Sequence, residues 1–400
     1  MFDNVPGDYG FETDLLHWGA YIDPEKTRHP ESMPIYLTTV FNAEDLDELV
    51  KIRETKSFNY NRTRNPNRSA LNDIITKLEN GQASLCTTSG MAAISTALLT
   101  ELKSGDHILT DKTLYGEVFD LFNQILEKFG VSFTIVDITD MDEVRKNTRS
   151  NTRIIYTESA SNPMTTVCDV EQIAAFAHER GIKVFVDNTF MTPYAFRPLD
   201  HGADVVINSL TKFCNGHCDV IAGSITGSAD FIDKCLANQW VLGDGLDGMS
   251  AYLCQRGLRT LSLRMERAFS NAEKLATALQ KNPHVSLVCH PSLPEHPNHE
   301  IAFRQFKGRY GAMLSFDIEN GTVETLNKFL HALKFVHYAA SLGGIRTTVS
   351  VPAHSSHRRV PKEMREACGI TDSLIRVSVG CEDIQDLVNE FTQALEQAYC

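Results

Sequence analysis

A lysine with two hydroxyl-bearing neighbours is the first candidate for chemistry in this chain. The segment Asp204–His217 begins with an apolar run and then presents Ser209, Thr211 and Lys212. Lysines are seldom fully buried without a partner or a function. A lysine beside hydroxyls that can contact phosphate is what a Schiff base to pyridoxal phosphate requires. The other interpretation is a surface lysine just past a strand end, which is the commoner case for this motif taken alone.

A carboxylate at a second strand end fits the same chemistry. Asp187 ends the apolar run Lys183–Val186 and is followed by Asn188 and Thr189. Burying a carboxylate is costly unless it is paired, and the protonated ring nitrogen of pyridoxal phosphate would be a suitable partner. The alternative is an ordinary Asx turn after a strand.

Two further segments could bind a phosphate or an aromatic ring. Ser89, Gly90 and Met91 precede a helix predicted over Ala92–Leu102, and free N–H groups at a helix start make an anion site. Simple N-capping is the alternative for these residues. Tyr115 follows a strand and a turn, where its ring could stack on an aromatic cofactor. Each signal is weak alone, but together in one domain they indicate a cofactor site.

These residues follow strands of a predicted α/β domain. Short runs rich in Ile, Val and Phe predict buried strands, and a helix predicted over Val170–Gly181 separates two of them. Strands that alternate with helices indicate parallel βαβ units in three layers. Ligands of such sheets bind beyond the carboxyl ends of the strands. The predicted strands are Asp106–Leu109, Val131–Val136, Arg153–Tyr156, Lys183–Val186 and Asp204–Asn208.

The pattern changes after about residue 248. A long helix predicted over Ala251–Gln280 leads into a smaller α+β unit. We therefore expect an N-terminal arm at 1–62, a large domain at 63–248 and a C-terminal domain at 249–400. The predicted elements of the last unit are strands Gly311–Ile318 and Leu374–Val379 and helices Val323–Leu333 and Ile384–Ala398.

Composition excludes several classes of protein. The 400 residues include 38 Lys and Arg against 51 Asp and Glu, which gives a formal net charge of −13. Such a chain lacks the basic surface that nucleic acids and anionic membranes require. No apolar run approaches the roughly 18 residues of a membrane-spanning helix. The first residues show no basic segment followed by an apolar one, so we expect no signal peptide.

The cysteines favour a reducing compartment. Ten Cys are scattered along the chain without a framework of short spacings, which indicates reduced thiols in a cytoplasmic enzyme. Cys214, His217 and Cys218 are the one cluster that resembles zinc ligands. No second ligand pair lies at a suitable spacing, so we expect no metal site.

Taken together, the motifs resemble those of the pyridoxal phosphate enzymes of cysteine and methionine metabolism. That family includes methionine γ-lyase, cystathionine γ-lyase, cystathionine γ-synthase and O-acetylhomoserine sulfhydrylase. The resemblance implies pyridoxal 5′-phosphate as cofactor and the type I aminotransferase fold. This fold has a large three-layer α/β/α domain with a mainly parallel sheet and a smaller α+β C-terminal domain. The matching segments are Tyr60–Pro66, Ser89–Met91, Tyr115–Gly116, Glu158–Pro163, Asp187–Thr189, Ser209–Lys212, Gly216–Asp219, Ser341–Gly344 and Leu374–Gly380.

The resemblance also implies catalytic and cofactor-binding roles. Lys212 would carry the Schiff base and move protons at the substrate, and Asp187 would pair with the ring nitrogen. Tyr115 would stack on the ring and assist departure of the leaving group. The rest of the implied cofactor-binding set, most of it around the phosphate, is Ser89, Gly90, Met91, Ser209 and Thr211. Tyr60 and Arg62 would complete the phosphate site from a neighbouring subunit, within a homotetramer built as a dimer of dimers.

The implied substrate is a small amino acid. Arg376, with Ser341 and Asn162, would bind its α-carboxylate, because a guanidinium fork suits a bidentate carboxylate. Cystathionine-handling members usually have an arginine at the position of Asp120, and an aspartate there would repel a distal carboxylate. Methionine γ-lyases usually have a cysteine at the position of Glu117.

Glu117 therefore admits two interpretations. The family commonly has glutamate at the position of Arg346, so Glu117 and Arg346 could form a charge-swapped ion pair. Otherwise Glu117, together with Asp120, recognises a substrate with a cationic or donor-rich side chain, such as a guanidinooxy or amino group.

The expected function is a γ-elimination. The resemblance implies a lyase that acts on methionine, homocysteine or a related γ-substituted amino acid and releases a 2-oxo acid and ammonia. Two alternatives stay open, namely a γ-replacement transferase of the O-acetylhomoserine sulfhydrylase or cystathionine γ-synthase type and a γ-lyase for a cationic substrate. A non-catalytic protein that keeps the fold is disfavoured, since it would have no use for Lys212.

Overall fold

The computed structural model describes residues 9–17, 32–55, 57–358 and 360–400. Residues 1–8 and 18–31, which belong to the predicted N-terminal arm, lie outside the described residues. Two β-sheets organise the rest, one within residues 83–227 and one within residues 285–378. The domain boundaries at 62/63 and 248/249 stay predictions.

The first sheet is mainly parallel, as predicted. Its spatial order is β1-β7-β6-β5-β4-β2-β3, and β7 alone runs against its neighbours. The strands are β1 (Ala83–Thr87), β2 (His107–Asp111), β3 (Ser132–Val136), β4 (Thr152–Glu158), β5 (Lys183–Asp187), β6 (Val205–Asn208) and β7 (Gly223–Gly227).

Sequence patterns found β2 to β6 but not β1 or β7. The predicted runs were rich in Ile, Val and Phe, whereas β1 reads Ala-Ser-Leu-Cys-Thr and β7 reads Gly-Ser-Ile-Thr-Gly. The small residues have a structural reason at Gly223, where a Cβ atom would lie 2.2 Å from Ser89 O. Close approach of another backbone is a recognised cause of glycine within a strand.

Helices cover both faces of this sheet and form the second and third layers. The helices of the described residues are α1 (Phe11–His17), α2 (Leu46–Glu54), α3 (Pro66–Leu78), α4 (Gly90–Glu101), α5 (Gly116–Asp120), α6 (Met141–Asn147), α7 (Val170–His178), α8 (Thr192–Ala195), α9 (Ala229–Leu242), α10 (Gly248–Leu258), α11 (Leu261–Gln280), α12 (His299–Phe306), α13 (Val323–Ala332), α14 (Lys362–Ala367) and α15 (Ile384–Ala398). Short 3-10 turns lie at Leu126–Phe129, Pro198–His201 and Pro352–His354, and a π turn lies at Leu121–Ile125.

Alternate residues of the central strands enter two separate cores. Ile155 and Val206 lie in a core that includes residues of α3, α7 and α10, whereas Ile154 and Val205 lie in a core with residues of α4 and α9. Successive side chains of a strand point to opposite faces. A sheet buried on both faces is therefore continuously apolar in sequence, which is why its strands were predictable.

The helix predicted over Ala251–Gln280 is two helices. The helix is interrupted at Arg259 and Thr260, between α10 and α11. Gly257 lies at this break, where a Cβ atom would come 2.4 Å from Asn215 O. The apolar periodicity continues across the break, so the pattern alone did not reveal it.

The second sheet is mainly antiparallel and forms the smaller α+β unit. Its order is β10-β11-β12-β9-β8, and only β10 and β11 pair in parallel. Phe391 of α15 packs with Phe316 and Phe329 in its core. The strands are β8 (Val285–Cys289), β9 (Met313–Ile318), β10 (His337–Tyr338), β11 (Thr348–Ser350) and β12 (Leu374–Ser378).

Replacing Phe391 by Ala tests this core. The Phe391 ring is 0% exposed, and deleting a buried Phe side chain costs about 3–5 kcal/mol in lost transfer energy and cavity formation. We expect a clearly lower midpoint of urea unfolding. Glu396→Ala, on the exposed face of the same helix, is the control and should leave the midpoint nearly unchanged. Equal midpoints for the two variants would contradict the assignment.

Candidate active site

The carboxyl ends of β4, β5 and β6 bring ionisable side chains together. Glu158 ends β4 and lies opposite Asp187 at the end of β5. Asp187 in turn lies opposite Ile207 of β6, which leads into the turn that carries Lys212. Parallel strands that end at one edge therefore place three charged groups side by side, where such sheets bind ligands.

The Lys212 side chain points toward residues of the C-terminal part of the chain. Its Nζ atom donates a hydrogen bond to Ser341 Oγ at 3.3 Å. Burial, and then the positive charge of Arg376, lower the pKa of the Lys212 ammonium. A larger fraction of this amine is therefore neutral and nucleophilic at neutral pH than for a solvated lysine.

Gly343 allows the chain around Ser341 to approach the lysine. Its φ is +82°, and a Cβ atom there would lie 2.5 Å from Phe213 N and 2.9 Å from Lys212 Cα. Only glycine combines this backbone conformation with this contact. The peptide N–H of Gly343 is held by Ser378 Oγ at 2.8 Å, which fixes the turn to β12.

The Asp187 carboxylate has hydrogen bonds but no cation. Thr189 N–H donates to Asp187 Oδ1 at 2.9 Å, and burial raises the pKa of the carboxyl. No ion pair involves Asp187 in the described part of the chain. A buried carboxylate of this kind suits a ligand that brings a positive charge or an N–H donor.

Glu158 is a site residue that the sequence reasoning missed. Its Oε1 accepts Tyr115 N–H at 2.9 Å, and its Oε2 accepts Asn162 N–H at 3.2 Å. Burial and the neighbouring Asp187 charge raise the pKa of Glu158 well above its usual range. One carboxylate thus links Tyr115 to Asn162. The segment Glu158–Pro163 was noted as a motif, but nothing in the sequence indicates these backbone partners.

Tyr115 and Glu117 lie at the start of α5. Burial, together with a hydrogen bond to Glu117, raises the pKa of the Tyr115 hydroxyl. The other carboxyl oxygen of Glu117, Oε2, is buried and has no hydrogen-bond partner in the described chain. The ion pair with Arg346, one of the two interpretations of Glu117, is not formed among the described residues, where Arg346 is exposed.

Arg376 joins the second sheet to the site. It lies in β12 and is 3% exposed. Its Nη1 atom donates to Asn162 Oδ1 at 3.1 Å and its Nη2 atom to Ser341 O at 3.3 Å, while its buried Nε is unpartnered. Burial lowers the pKa of Arg376 to about 10, so the guanidinium stays charged at neutral pH. The structure thus brings together the predicted trio of Arg376, Ser341 and Asn162.

The start of α4 closes against the Lys212 turn. Ser89 is the N-cap and accepts Ala92 N–H at 3.0 Å. A Cβ atom on Gly90 would lie 2.8 Å from Ser209 Cβ. Met91 follows in the first turn, where helix N–H groups have no intrahelical acceptor. The Thr211 hydroxyl donates to Ala222 O at 3.1 Å and accepts Ala222 N–H at 3.0 Å, so its proton is already engaged.

Tyr60 and Arg62 lie apart from this cluster. Tyr60 is 40% exposed and Arg62 is also exposed. The Arg62 guanidinium lies 5.5 Å from the Tyr60 ring centre and donates to Trp240 O. Neither side chain contacts the residues around Lys212 within the described chain.

The cysteine cluster shows no metal geometry. Cys214 is buried and Cys218 is exposed, and His217 Nδ1 lies 2.6 Å from Asn215 O. Among the residues that the structure describes, no group of three or more His, Cys, Asp or Glu side chains is placed to hold a metal ion. In the same residues, no helix has the length and apolar character needed to cross a bilayer.

The residues present fit pyridoxal 5′-phosphate. The fit rests on three observations. Burial raises the pKa of the Asp187 carboxyl, which has no ion pair in the described chain, and burial lowers the pKa of the Lys212 amine. The glycine at the start of α4, Gly90, lets the helix approach Ser209 closely. A protonated pyridine nitrogen, an aldehyde and a phosphate are the groups that these features would receive.

Comparisons with known proteins agree with this chemistry. A family model described as Cys/Met metabolism PLP-dependent enzyme matches residues 12–396. The chain is 40% identical over 395 residues to an L-methionine gamma-lyase of Fusobacterium nucleatum, covering 97% of this chain and 98% of the relative. It is 39% identical over 386 residues to a cystathionine gamma-lyase of Bacillus subtilis, covering 96% and 99%.

A solved structure has a similar fold over nearly the full length of this chain. The crystal structure of cystathionine gamma-lyase from Lactobacillus plantarum complexed with L-serine superposes with a TM-score of 0.91 at 34% identity, covering 98% of this chain and all of that one. The fold class that the sequence predicted is confirmed by this match and by the two sheets described above.

Gly343→Ala tests the contact between the Ser341 turn and Lys212. A side chain at positive φ costs about 1 kcal/mol or more, and here the new methyl group would also push Ser341 away from the lysine. Gly308→Ala is the control, because Gly308 has a φ of +80° but open space around its Cβ position. We expect Gly343→Ala to lower the free energy of unfolding by clearly more than Gly308→Ala. Equal losses in the free energy of unfolding for the two variants would contradict this contact.

Proposed function

Because the chain belongs to the family of Cys/Met metabolism PLP-dependent enzymes, we propose that it is a lyase that eliminates the γ-substituent of an amino acid. The substrate is methionine, homocysteine or a related γ-substituted amino acid, and the products are a 2-oxo acid, ammonia and the released substituent. The relatives named as methionine and cystathionine γ-lyases support this proposal.

The observation that carries the proposal is the position of the Lys212 amine. It bonds to Ser341, whose carbonyl oxygen accepts from Arg376. A substrate α-carboxylate held by Arg376 and Asn162 would therefore place its Cα atom next to Lys212 Nζ. Because the pKa of this lysine is lowered, the neutral amine can take the proton from Cα.

Other residues of this chain supply binding and proton transfer. Asp187 would hold the proton on the pyridine nitrogen, and the start of α4 with Ser209 would bind the phosphate. Tyr115 would stack on the ring. Its O–H, kept protonated by the raised pKa, would turn away from Glu117 to donate to the departing heteroatom. When bound, pyridoxal 5′-phosphate supplies the electron sink for charge that develops at Cα and Cβ.

Thr211 has a smaller part in phosphate binding than the resemblance implied. Its only O–H is donated to Ala222 O. The hydroxyl could then contact a phosphate as a donor only by giving up this bond. Ser209 forms no side-chain hydrogen bond in the described chain, so its hydroxyl is the better phosphate donor of the two.

Exposure of Tyr60 and Arg62 supports a shared active site. Both are predicted phosphate-binding residues, and neither contacts the Lys212 cluster of its own chain. Tyr60 and Arg62 of one subunit would therefore bind the phosphate in the active site of a second subunit. Two such dimers would form a homotetramer. All ten cysteines are free thiols, which supports a cytoplasmic location.

Lys212→Ala is the first test of the proposal. The purified wild-type protein should show an absorbance band near the visible edge that borohydride abolishes, and Lys212→Ala should lack the lysine-dependent band. The exposed Lys128 provides the control, since Lys128→Ala should keep it. With methionine and homocysteine, wild type should release 2-oxobutanoate and the Lys212 variant should not. Formation of a replacement product instead, when a thiol is added with O-acetylhomoserine, would identify a transferase.

Mixing two inactive variants tests the shared site. Arg62→Ala and Lys212→Ala would each inactivate every site of their own homo-oligomer. In a mixed dimer, one site would combine the native Lys212 of one subunit with the native Arg62 of the other. We therefore expect co-expression of the two variants to restore 2-oxobutanoate release. A site built from a single chain would give no recovery.

A further inference from the structure

Glu117 places an unused hydrogen-bond acceptor in the proposed site. It is in the first turn of α5, two residues after Tyr115. Its carboxyl group is near enough to raise the pKa of the Tyr115 hydroxyl, and its Oε2 atom is buried without a hydrogen-bond partner in the described chain. Buried carboxylate oxygens normally have a partner, and an exception points to a missing ligand.

No cation of the described chain neutralises this carboxylate. Arg346, the predicted partner, is exposed and forms no contact with Glu117. Lys212 is near enough for the Glu117 charge to raise the pKa of its ammonium, but its Nζ hydrogen bond goes to Ser341. Arg376 is engaged with Asn162 and Ser341. The Glu117 carboxylate thus lies close to Lys212 and Tyr115, and its Oε2 atom has no hydrogen-bond partner among the described residues.

The position of Glu117 relates it to the far end of the substrate. Arg376 and Ser341 define the end that binds the α-carboxylate, and Lys212 lies beside them. Glu117 neighbours Tyr115, the residue that would protonate the departing heteroatom. A group attached to that heteroatom would therefore meet Glu117 Oε2. A methyl group, as in methionine, would leave the oxygen unpaired, which is costly in a buried site.

We propose that Glu117 selects an amino acid whose γ-heteroatom carries a guanidino group, which offers several N–H donors and is cationic when protonated. This inference rests on the proposed γ-elimination and names its substrate class. The bond from Cγ to the heteroatom breaks, and its electron pair leaves with the heteroatom, which takes a proton from Tyr115. One water is consumed as the carbon skeleton becomes 2-oxobutanoate and ammonia. No oxidant or reductant is involved.

A matched pair of substrates tests the selection. One is homoserine with a guanidino group on its γ-oxygen, and the other is O-acetylhomoserine, which has the same γ-oxygen but no charge. We expect wild type to have the higher kcat/KM on the guanidino compound. Glu117→Gln should lower that value about 10- to 100-fold, as for loss of a charged hydrogen bond. The value for O-acetylhomoserine should change by less than about threefold.

A binding measurement gives a second readout that is independent of turnover. Arginine carries the cation but has no heteroatom at Cγ to eliminate, and citrulline is a neutral counterpart of the same length. Calorimetry of the wild-type holoenzyme should show tighter binding of arginine, and Glu117→Gln should remove the difference. Glu127→Gln is the control variant, because it removes the same charge from an exposed position just beyond α5.

The outcomes separate this inference from the proposed function. If no substrate yields 2-oxobutanoate, the lyase proposal itself fails. If O-acetylhomoserine or methionine is cleaved but the guanidino compound has no advantage, the substrate class is wrong. If Glu117→Gln lowers kcat/KM equally for both substrates, Glu117 acts on Tyr115 alone and does not select the cation.

Discussion

Desolvation of charge at the ends of three adjacent strands is the constraint on which the site depends. Glu158, Asp187 and Lys212 are each partly buried, and burial is the largest influence on the pKa of each. A charged group that is removed from water is costly unless hydrogen-bonding groups or an opposite charge are held next to it. Here the partners are mostly backbone N–H groups and hydroxyls of neighbouring loops, so the chemistry of the site depends on the exact course of the main chain around it. The two apolar cores that sandwich the sheet keep that course rigid.

The second sheet contributes to this constraint through a few contacts. Arg376 lies in β12, yet its guanidinium binds Asn162, which follows β4 of the first sheet. Gly343 brings the connecting chain against the backbone of Lys212. The two sheets are therefore joined at the point where an α-carboxylate and an amine must lie close together. Even a small displacement of one sheet against the other would separate these groups, and positioning of reacting groups is a large part of catalytic power.

The residues that carry charge at strand ends could be read from the sequence, but their supporting contacts could not. Lys212, Asp187 and Arg376 stand in motifs whose residue types indicate their chemistry. Glu158 acts on the peptide N–H groups of Tyr115 and Asn162, and a backbone donor leaves no trace in residue types. Strands β1 and β7 were missed because each has few large apolar residues, although Leu85 and Ile225 are buried in a core. In β7, Gly223 is required by the close approach of the Ser89 backbone. The break before α11 was hidden because apolar periodicity continues through it.

The residues proposed for reactivity and for specificity lie in structurally different parts of this chain. Lys212 and Asp187 follow directly from regular strands, whereas Tyr115 and Glu117 begin a helical segment that changes from α at Gly116–Asp120 to π at Leu121–Ile125 and then to a 3-10 turn. Irregular helical turns of this kind often occur at functional sites. Because α5 is short and precedes irregular turns, a substitution at position 117 is expected to change this segment more than the regular strands that carry Asp187 and lead to Lys212. Arg346 is exposed to solvent, where its charge is hydrated. It therefore does not compensate the charge of Glu117, whose Oε2 atom is buried without a hydrogen-bond partner within the described chain.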